Sequence, residues 1–260
     1  MAKLEKDFEF KGKSVYRMKG SDELIVRKKG GPKPEQVLTS PRFERTRENA
    51  KEFQGVQKAV SAIRFPLITI KHLADHNFTL TLTSICKKIQ AMDTAGKRGQ
   101  RSIFLSQQRF MLKNFWLNKR HPFPAIVAGA VNCTLHRETK SGVIQLPMLI
   151  PGVNLHLPWK QPLYRFSLSL GLISDVVYEN GEYIDNQFDN RAISAHDTAW
   201  HVAADPFPAA KLELPLNMPD DLKDSQTLVL AIGIEMGTPD ASGEITTTKY
   251  AGSACIFALG

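Results

Sequence analysis

The chain contains few cysteines and no long apolar run. Its 260 residues include three cysteines, Cys86, Cys133 and Cys255, which are far apart and odd in number. A disulfide framework is therefore not expected, and the composition favours a reducing compartment, the cytoplasm. No apolar stretch approaches the roughly 20 residues of a membrane-spanning helix, so no membrane partner is expected. The first residues, MAKLEKDFEFKGK, also lack the apolar segment of a secretory signal.

The sequence also lacks the motifs that mark common catalytic and cofactor sites. The segment Gly96-Lys97-Arg98 is similar to the end of a phosphate-binding loop, but no Ser or Thr follows the lysine and no glycine stands five residues before it. The Gly-x-Ser-x-Gly turn that exposes a nucleophilic serine is missing too. We therefore expect a non-enzymatic protein without a cofactor or a bound metal.

One histidine pair leaves a metal site open as an alternative. His72 and His76 have the spacing that places two imidazoles on one face of a helix, where a metal could bind. The glutamate that zinc proteases carry directly after the first histidine is replaced by Leu73. Structural histidines are the favoured interpretation.

Aromatic and polar residues of the second half allow two weaker interpretations. The segment His196-Asp197 and His201 lie near Trp200 but lack an oriented nucleophile, so a turn packed by the tryptophan is favoured over a hydrolase site. Trp159, Tyr164 and Trp200 could also line a site for carbohydrate or peptide.

Charge is distributed unevenly along the chain. Residues 1–130 hold 26 Lys and Arg against 11 Asp and Glu, a net charge of +15. Residues 131–260 hold 8 against 15, a net charge of −7, and the two parts give the +8 of the whole chain. A basic front and an acidic back are informative about partners rather than about the fold.

The first part of the chain is predicted to form a β-hairpin over residues 8–29. Residues 14–18 and 23–27 alternate apolar and polar side chains around a turn at 19–22. Because a two-stranded hairpin is marginally stable in water, it must pack on another surface or add to a sheet edge. Residues 30–34, with two glycines and two prolines, then predict an extended connector.

The clearest predicted helix covers residues 39–64, and the rest of the chain is organised around it. Ser40 is a suitable N-cap, and Pro41 stands where its missing N–H costs nothing. The buried face is predicted to consist of apolar residues at steps of three, four or seven, namely Phe43, Ala50, Phe53, Val56, Val60 and Ile63.

More helices are predicted up to residue 118. Pro66 limits the long helix, and residues 66–91 contain one or two further helices, with a strand at 79–83 as the alternative. Residues 93–101 are predicted to form a basic loop. Residues 102–118 have a rough apolar stripe that predicts a last helix.

From residue 125 onward the pattern is typical of strands. Residues 164–172 alternate with a period of two, which predicts a half-buried strand. Asn180-Gly181 predicts a tight hairpin because both residues tolerate a positive φ. A turn at 239–243 leads to a buried last strand at 254–259. Several short strands separated by regular turns predict an antiparallel sandwich.

The predicted fold class is therefore α+β, with an N-terminal β-hairpin and helical region followed by an antiparallel β-sandwich-like domain. The predicted domains are a basic hairpin head with its connector at 1–35, a basic helical region at 36–122 and an acidic β-rich domain at 123–260.

Three segments resemble uncharacterised bacterial proteins, chiefly of the Bacteroidota. The residues that carry the resemblance are LIVRKKGG at 24–31, SPRFERTREN at 40–49 and LAIGIE at 230–235. In those proteins a β-rich head with the pattern VR-K-GG leads into SP-F-RTREN--EF. The resemblance implies the architecture but no activity.

The favoured function is that of a structural or interaction protein that self-associates into a ring or a filament, its basic front meeting the acidic back of the next copy. The alternative is a nucleic-acid-binding protein that uses the basic half. The predicted basic contact residues are Arg27, Lys28, Lys29, Lys97, Arg98 and Arg101. The predicted acidic counter-surface consists of Asp175, Glu179, Glu182, Asp185 and Asp189.

Overall fold

The computed structural model describes residues 12–18, 20, 23–28, 30–185, 192–219 and 221–260. The chain divides into two compact units, the N-terminal unit of residues 1–47 and the main unit of residues 48–260. Within the described ranges, every helix is too short or too polar to cross a bilayer.

The N-terminal unit contains the predicted hairpin. Strand β1 (Lys13–Arg17) pairs antiparallel with β2 (Leu24–Lys28), which confirms the alternation seen in the sequence. A short helix α1 (Pro34–Thr39) and a 3-10 turn (Pro41–Phe43) follow. Helix α2 (Glu44–Arg64) begins in this unit and continues into the main unit, so the boundary between the units falls within the helix.

The start of the long helix differs from the prediction. Ser40 lies between α1 and the 3-10 turn, and its side chain makes no capping hydrogen bond. The Arg47 guanidinium instead donates to the carbonyl oxygens of Val37 (2.8 Å) and Ser40 (2.9 Å). A long basic side chain thus satisfies carbonyl groups at the break in the helix, which no pattern of capping residues indicates.

The buried face of α2 is rotated from the predicted stripe. Val56, Val60 and Ile63 are buried as predicted, but Phe53 is 43% exposed, so its predicted burial is wrong. The buried face also includes Gly55, where an added Cβ would lie 2.5 Å from Tyr183 Cε1. Because the tyrosine ring docks at this glycine, the face that meets the core is centred on small residues.

The predictions for the segment after α2, one or two helices at 66–91 and another at 102–118, are confirmed only in part. Helix α3 (Thr79–Ala91) is present, so the alternative strand at 79–83 is wrong. The predicted helix at 102–118 is also wrong, since that segment forms turns, a 3-10 turn (Arg109–Met111) and the two-residue strand β3 (Phe115–Trp116). Leu105, Leu112 and Leu117 of this segment are buried, whereas Phe110 and Trp116 are exposed, so its apolar residues do not share one buried helix face.

The rest of the main unit is mostly antiparallel sheet, which confirms the mixed α+β class. Residues predicted to open the first strand form the short helix α4 (Phe123–Ile126) instead. The remaining strands are β4 (Asn132–His136), β5 (Ser141–Leu146), β6 (Leu163–Ser174), β7 (Val176–Glu179), β8 (Glu182–Asp185), β9 (Ile193–Asp197), β10 (His201–Val202), β11 (Ala210–Pro215), β12 (Gln226–Pro239) and β13 (Ile245–Leu259).

Three sheets arise from these strands among the described residues. The largest has the order β10-β6-β12-β13-β3, with β9 also paired to β6. A second has the order β11-β5-β4, and β7 and β8 form a separate hairpin. Asn180 and Gly181 have φ values of 50° and 92°, which confirms the tight turn predicted between β7 and β8.

Strand β12 separates two apolar cores. Val229 and Ala231 belong to a core that contains the buried face of α2 and much of α3. The alternate residues Leu228, Leu230 and Ile232 belong to a second core, which also contains inward residues of β5 and β11. The period of two in β12 therefore assigns successive side chains to different cores.

We expect Gly55→Ala to lower the free energy of unfolding by about 1–3 kcal/mol, the usual cost of overpacking a filled core. The new methyl group would clash with Tyr183, whose hydroxyl lies 3.3 Å from Gln90 Nε2 and whose ring packs on Tyr178. Denaturant titration measures the change. Ser61→Ala, at an exposed position of the same helix, is the control and should change stability by less than about 0.5 kcal/mol. A Gly55→Ala protein as stable as the wild type would show that the ring does not fill this space.

Candidate functional site: a polar cleft around Glu235

The polar cleft forms where a turn packs closely against two glycines of the sheet. An added Cβ would lie 2.6 Å from Leu73 Cδ1 at Gly233 and 2.7 Å from Leu73 Cδ2 at Gly252. Gly233 is in β12 and Gly252 in β13, so the absence of side chains lets the 3-10 turn Lys71–Leu73 approach the sheet closely. This approach places His72 next to Glu235.

Glu235 is a buried carboxylate with three side-chain donors. Its exposure is 1%, and it follows a run of buried apolar residues in β12. His72 Nε2 lies 2.9 Å from Oε2, while Oε1 accepts hydrogen bonds from Arg165 Nε and from Ser167 Oγ at 3.1 Å. An unpaired buried carboxylate would be costly, so these donors are what allow the charge in this position.

His72 and Glu235 each shift the pKa of the other towards its charged form. Burial by itself raises the pKa of Glu235, but the hydrogen bonds and positive charges of His72 and Arg165 outweigh it and lower the pKa to about 2. The hydrogen bond to Glu235 raises the pKa of His72, against the opposite effect of burial. Both shifts favour the charged forms, the imidazolium of His72 and the carboxylate of Glu235.

Arg165 extends the network towards the surface. Its Nη2 lies 3.1 Å from Asp197 Oδ2, and its guanidinium carbon lies 4.6 Å from the centre of the Trp200 ring. Trp200 reaches this position because Gly237 has no side chain, since an added Cβ would lie 2.6 Å from the ring. Two cations and two carboxylates, His72 and Arg165 with Glu235 and Asp197, thus form one connected network.

A cleft of about 310 Å³ opens beside this network. Ser167 is not placed as an activated nucleophile, because its hydroxyl donates to Glu235. Glu235 is a weak base, because two cations hold its carboxylate ionised. The arrangement can position donors and acceptors for a small polar molecule and can fix the 71–73 turn on the sheet. The cleft is lined by Thr69, His72, Arg165, Ser167, Ala195, His196, Asp197 and Glu235.

The predicted histidine pair is not brought together on a helix. His72 lies in the 3-10 turn, and His76 lies before α3, where its Nδ1 is 2.7 Å from Asp75 Oδ1. The helical premise of the metal alternative is therefore wrong. Across the described ranges, no group of three or more His, Cys, Asp or Glu side chains is arranged to hold a metal ion.

The cleft joins residues from two motifs that the sequence presents separately. His196 and Asp197, at the end of β9, line it together with His72. Sequence reasoning did not select Arg165, Ser167 or Glu235. A signal for the last was present, because it is the single charged residue in the apolar run 228–236.

The predicted basic loop at 93–101 is a loop, but its arginines are not equally available. Arg101 forms a two-point ion pair with the buried Glu52 (Nε–Oε1 2.7 Å, Nη2–Oε2 2.8 Å). Arg98 Nη2 donates to Asn49 Oδ1 at 3.2 Å, and Lys97 is exposed. Arg101 is thus a structural residue of the loop. Arg27 and Lys28 are exposed in β2, and Lys29 lies outside the described residues.

Two of the five residues of the predicted acidic counter-surface are buried, so for these two the prediction is wrong. Asp175 is buried and accepts hydrogen bonds from the backbone N–H (2.8 Å) and hydroxyl (2.7 Å) of Ser106, and burial raises its pKa. Asp185 is buried as well. Glu179 and Glu182 are exposed at the β7–β8 turn. The predicted Asp189 lies outside the described residues.

The three aromatic residues of the carbohydrate alternative do not form one site. Tyr164 is fully buried, and Trp200 packs under Arg165. Trp159 lines a different cleft of about 570 Å³, where its ring packs edge-on against His121 at 5.5 Å.

We expect Glu235→Gln to lower the free energy of unfolding by about 1.5–3 kcal/mol, the usual range for a hydrogen bond to a charged group, because the cationic partners His72 and Arg165 keep 48% and 25% of their side-chain surface exposed. The amide keeps the shape of the side chain but leaves His72 and Arg165 without their shared anion. Denaturant titration at pH 6 tests this. Glu244→Gln, at an exposed position of the β12–β13 turn, is the matched control. A loss no larger than that of the control would mean that the network contributes little to stability.

The same network predicts a pH dependence. The raised pKa of His72 means that its contribution is complete below the ordinary value of 6.5 and is lost as the pH rises through the raised pKa. The lowered pKa of Glu235 means that its contribution is present above the ordinary value of 4.5 and is lost as the pH falls towards about 2. Both contributions are complete together only between these two ordinary values.

We therefore expect the denaturation midpoint of the wild type to fall between pH 6 and pH 9, and that of His72→Gln to fall less. His156→Gln, at an exposed position, serves as the control and should behave as the wild type. Equal losses in the wild type and in His72→Gln would show that the bond between His72 and Glu235 does not titrate.

The chain matches no model of a protein family, no curated protein and no solved structure. The resemblance to Bacteroidota proteins in residues 24–31, 40–49 and 230–235 therefore stays a prediction, and the function is argued from the structure alone.

Proposed function

We propose that this protein is a non-enzymatic interaction protein that self-associates into a ring or a filament through its N-terminal unit. The observation that carries the proposal is the absence of a core there, since no described residue between 12 and 47 is buried. Leu24 and Val26 are 45% and 48% exposed on the hairpin. A two-stranded hairpin without a buried face gains little stability by itself, so contact with another molecule would supply what it lacks.

The charge of the hairpin indicates the kind of partner. Lys13 and Lys28 stand directly opposite each other, and Ser14 stands opposite Arg27. Like charges at directly opposed positions destabilise a pair of strands. An anionic partner surface would remove this cost, and apolar residues between the charged ends, Val15 and Val26 among them, would add buried area.

The back half of the chain supplies anionic groups in a second copy. Residues 131–260 have a net charge of −7, and exposed carboxylates lie at two turns, Glu179 and Glu182 at one, Asp240 and Glu244 at the other. A contact between unlike surfaces of identical chains closes into a ring or continues as a filament. We include in this proposal that the β-rich part is a two-layer sandwich, because the sheets of β6 and β5 contribute to one core.

The expected outcome is a particle larger than the 29.1 kDa monomer at low ionic strength, measured by light scattering after size exclusion. Lys13→Glu combined with Lys28→Glu should shift the mass to that of the monomer, and so should high salt, because screening shortens the range of the attraction. The matched control is Lys211→Glu, at an exposed position of β11.

Removal of residues 1–35 should have the same effect as the double charge reversal. A full-length protein that stays monomeric at low salt and high concentration would contradict the proposal. Particles of unchanged mass after the charge reversal or the truncation would contradict it equally.

A further inference from the structure

An exposed aromatic ring lies among cations on the surface of α2. The side chain of Phe53 is 43% exposed, and Lys87 Nζ lies 5.3 Å from the centre of its ring. A cleft of about 330 Å³ adjoins the ring. Its lining residues are Asn49, Glu52, Phe53, Lys87, Gln90 and Arg101.

The acidic residue of this cleft is already neutralised. Both oxygens of Glu52 are occupied, Oε1 by the backbone N–H of Gly99 (2.9 Å) and by Arg101 Nε, and Oε2 by Arg101 Nη2. The hydrogen bond from Arg101 accordingly lowers the pKa of Glu52. Lys87 therefore contributes positive charge that the Glu52–Arg101 pair does not cancel.

The loop beside the cleft is held in one conformation. Asp93 accepts hydrogen bonds from the backbone N–H groups of Ala95 (3.0 Å), Gly96 (3.0 Å) and Ser102 (2.7 Å). This loop presents Arg98 at Asn49, which lines the cleft, with Glu48 Oε2 at 3.5 Å from Arg98 Nε. Since the loop is already ordered, binding a ligand would not require the entropy cost of ordering it.

We propose that this cleft binds one nucleotide of a single-stranded nucleic acid. The base takes the place of the Lys87 ammonium over the Phe53 ring, and Lys87 and Arg98 contact the adjoining phosphates. Stacking platforms flanked by cations are the means by which proteins bind single strands without reading their sequence. The volume of the cleft is at the lower end of ligand pockets, about 300 Å³ and above, as expected for a single base with its sugar. A base presents a flat π-face to the ring while its phosphates pair with the cations, so one nucleotide engages both features of the cleft.

This inference goes beyond self-association and rests on different residues. The hairpin cations Lys13 and Lys28 take no part in the cleft, so charge reversal there tests assembly and leaves the cleft unchanged.

The test is the affinity of the full-length protein for a dye-labelled oligothymidine of 15 nucleotides, and for the matching oligouridine, by fluorescence anisotropy. Phe53→Leu keeps an apolar side chain but removes the ring, and it should weaken binding about 5- to 150-fold, the range of one lost stacking contact. Phe53→Trp should bind at least as tightly as the wild type. Phe110→Leu, which removes a ring that is 68% exposed elsewhere, is the control and should bind unchanged.

The phosphate contacts are tested separately by the salt dependence of the affinity. The logarithm of the affinity should fall linearly with the logarithm of the salt concentration, and Lys87→Gln should reduce that slope by about 0.7, the value of one phosphate contact on a single strand. Because both Phe53 and Lys87 are exposed, these variants should remain folded, which denaturant titration verifies.

Several results would overturn the proposal. These are no binding at low salt, equal affinity of Phe53→Leu and the wild type, or a thymidine monophosphate that binds as tightly as the oligonucleotide. Loss of binding in the Lys13→Glu, Lys28→Glu protein with full binding in Phe53→Leu would place the contact on the hairpin instead. A change in particle mass in Phe53→Leu without a change in binding would assign the ring to the assembly interface.

Discussion

The main unit depends on one constraint, the burial of strand β12 on both of its faces. From Gln226 to Gly237 every residue of this strand is buried, and successive side chains enter different cores. A strand in this position accepts a charge only where all of its hydrogen-bonding groups are satisfied. Glu235 therefore requires His72, Arg165 and Ser167, and the same requirement connects the 71–73 turn and β6 to the centre of the largest sheet.

Small residues determine where other elements can touch this sheet and the helices. Gly233 and Gly252 admit Leu73, and Gly55 admits the ring of Tyr183. In each case the missing side chain is filled by a neighbour, so packing density is kept while the polar groups come within hydrogen-bonding distance. The polar cleft is a consequence of these close approaches. Its cations and carboxylates are engaged with one another, which suits a structural and pH-sensitive role better than nucleophilic chemistry.

Some lysines and arginines of this chain cannot bind a partner, because their side chains are engaged in contacts within the protein. Arg101 is committed to Glu52, and Arg47 is committed to carbonyl groups beside Ser40. In contrast, Lys87 lies over an exposed ring, and Lys13 and Lys28 oppose each other on a hairpin in which no described residue is buried. The two proposals follow from this difference: the hairpin is suited to an anionic protein surface, and the cleft at Phe53 to a base and its phosphates.

Local chemistry in the sequence by itself determined the N-terminal hairpin, the turn at Asn180-Gly181 and the presence of strand β6, because turn dihedrals and strand periodicity depend on neighbouring residues. The predicted half-burial of β6 is wrong, since Ser167 and Ser169 are buried as well. Only the tertiary structure decided which face of α2 is buried, since the docking of Tyr183 at Gly55 excluded Phe53 from the core. It also removed the predicted helix at 102–118 and buried Asp175, because contacts with distant strands outweigh weak local preferences. The cleft around Glu235 was likewise decided by the tertiary structure. Its lining residues come from four separate segments, and no local sequence pattern indicates that these segments lie together.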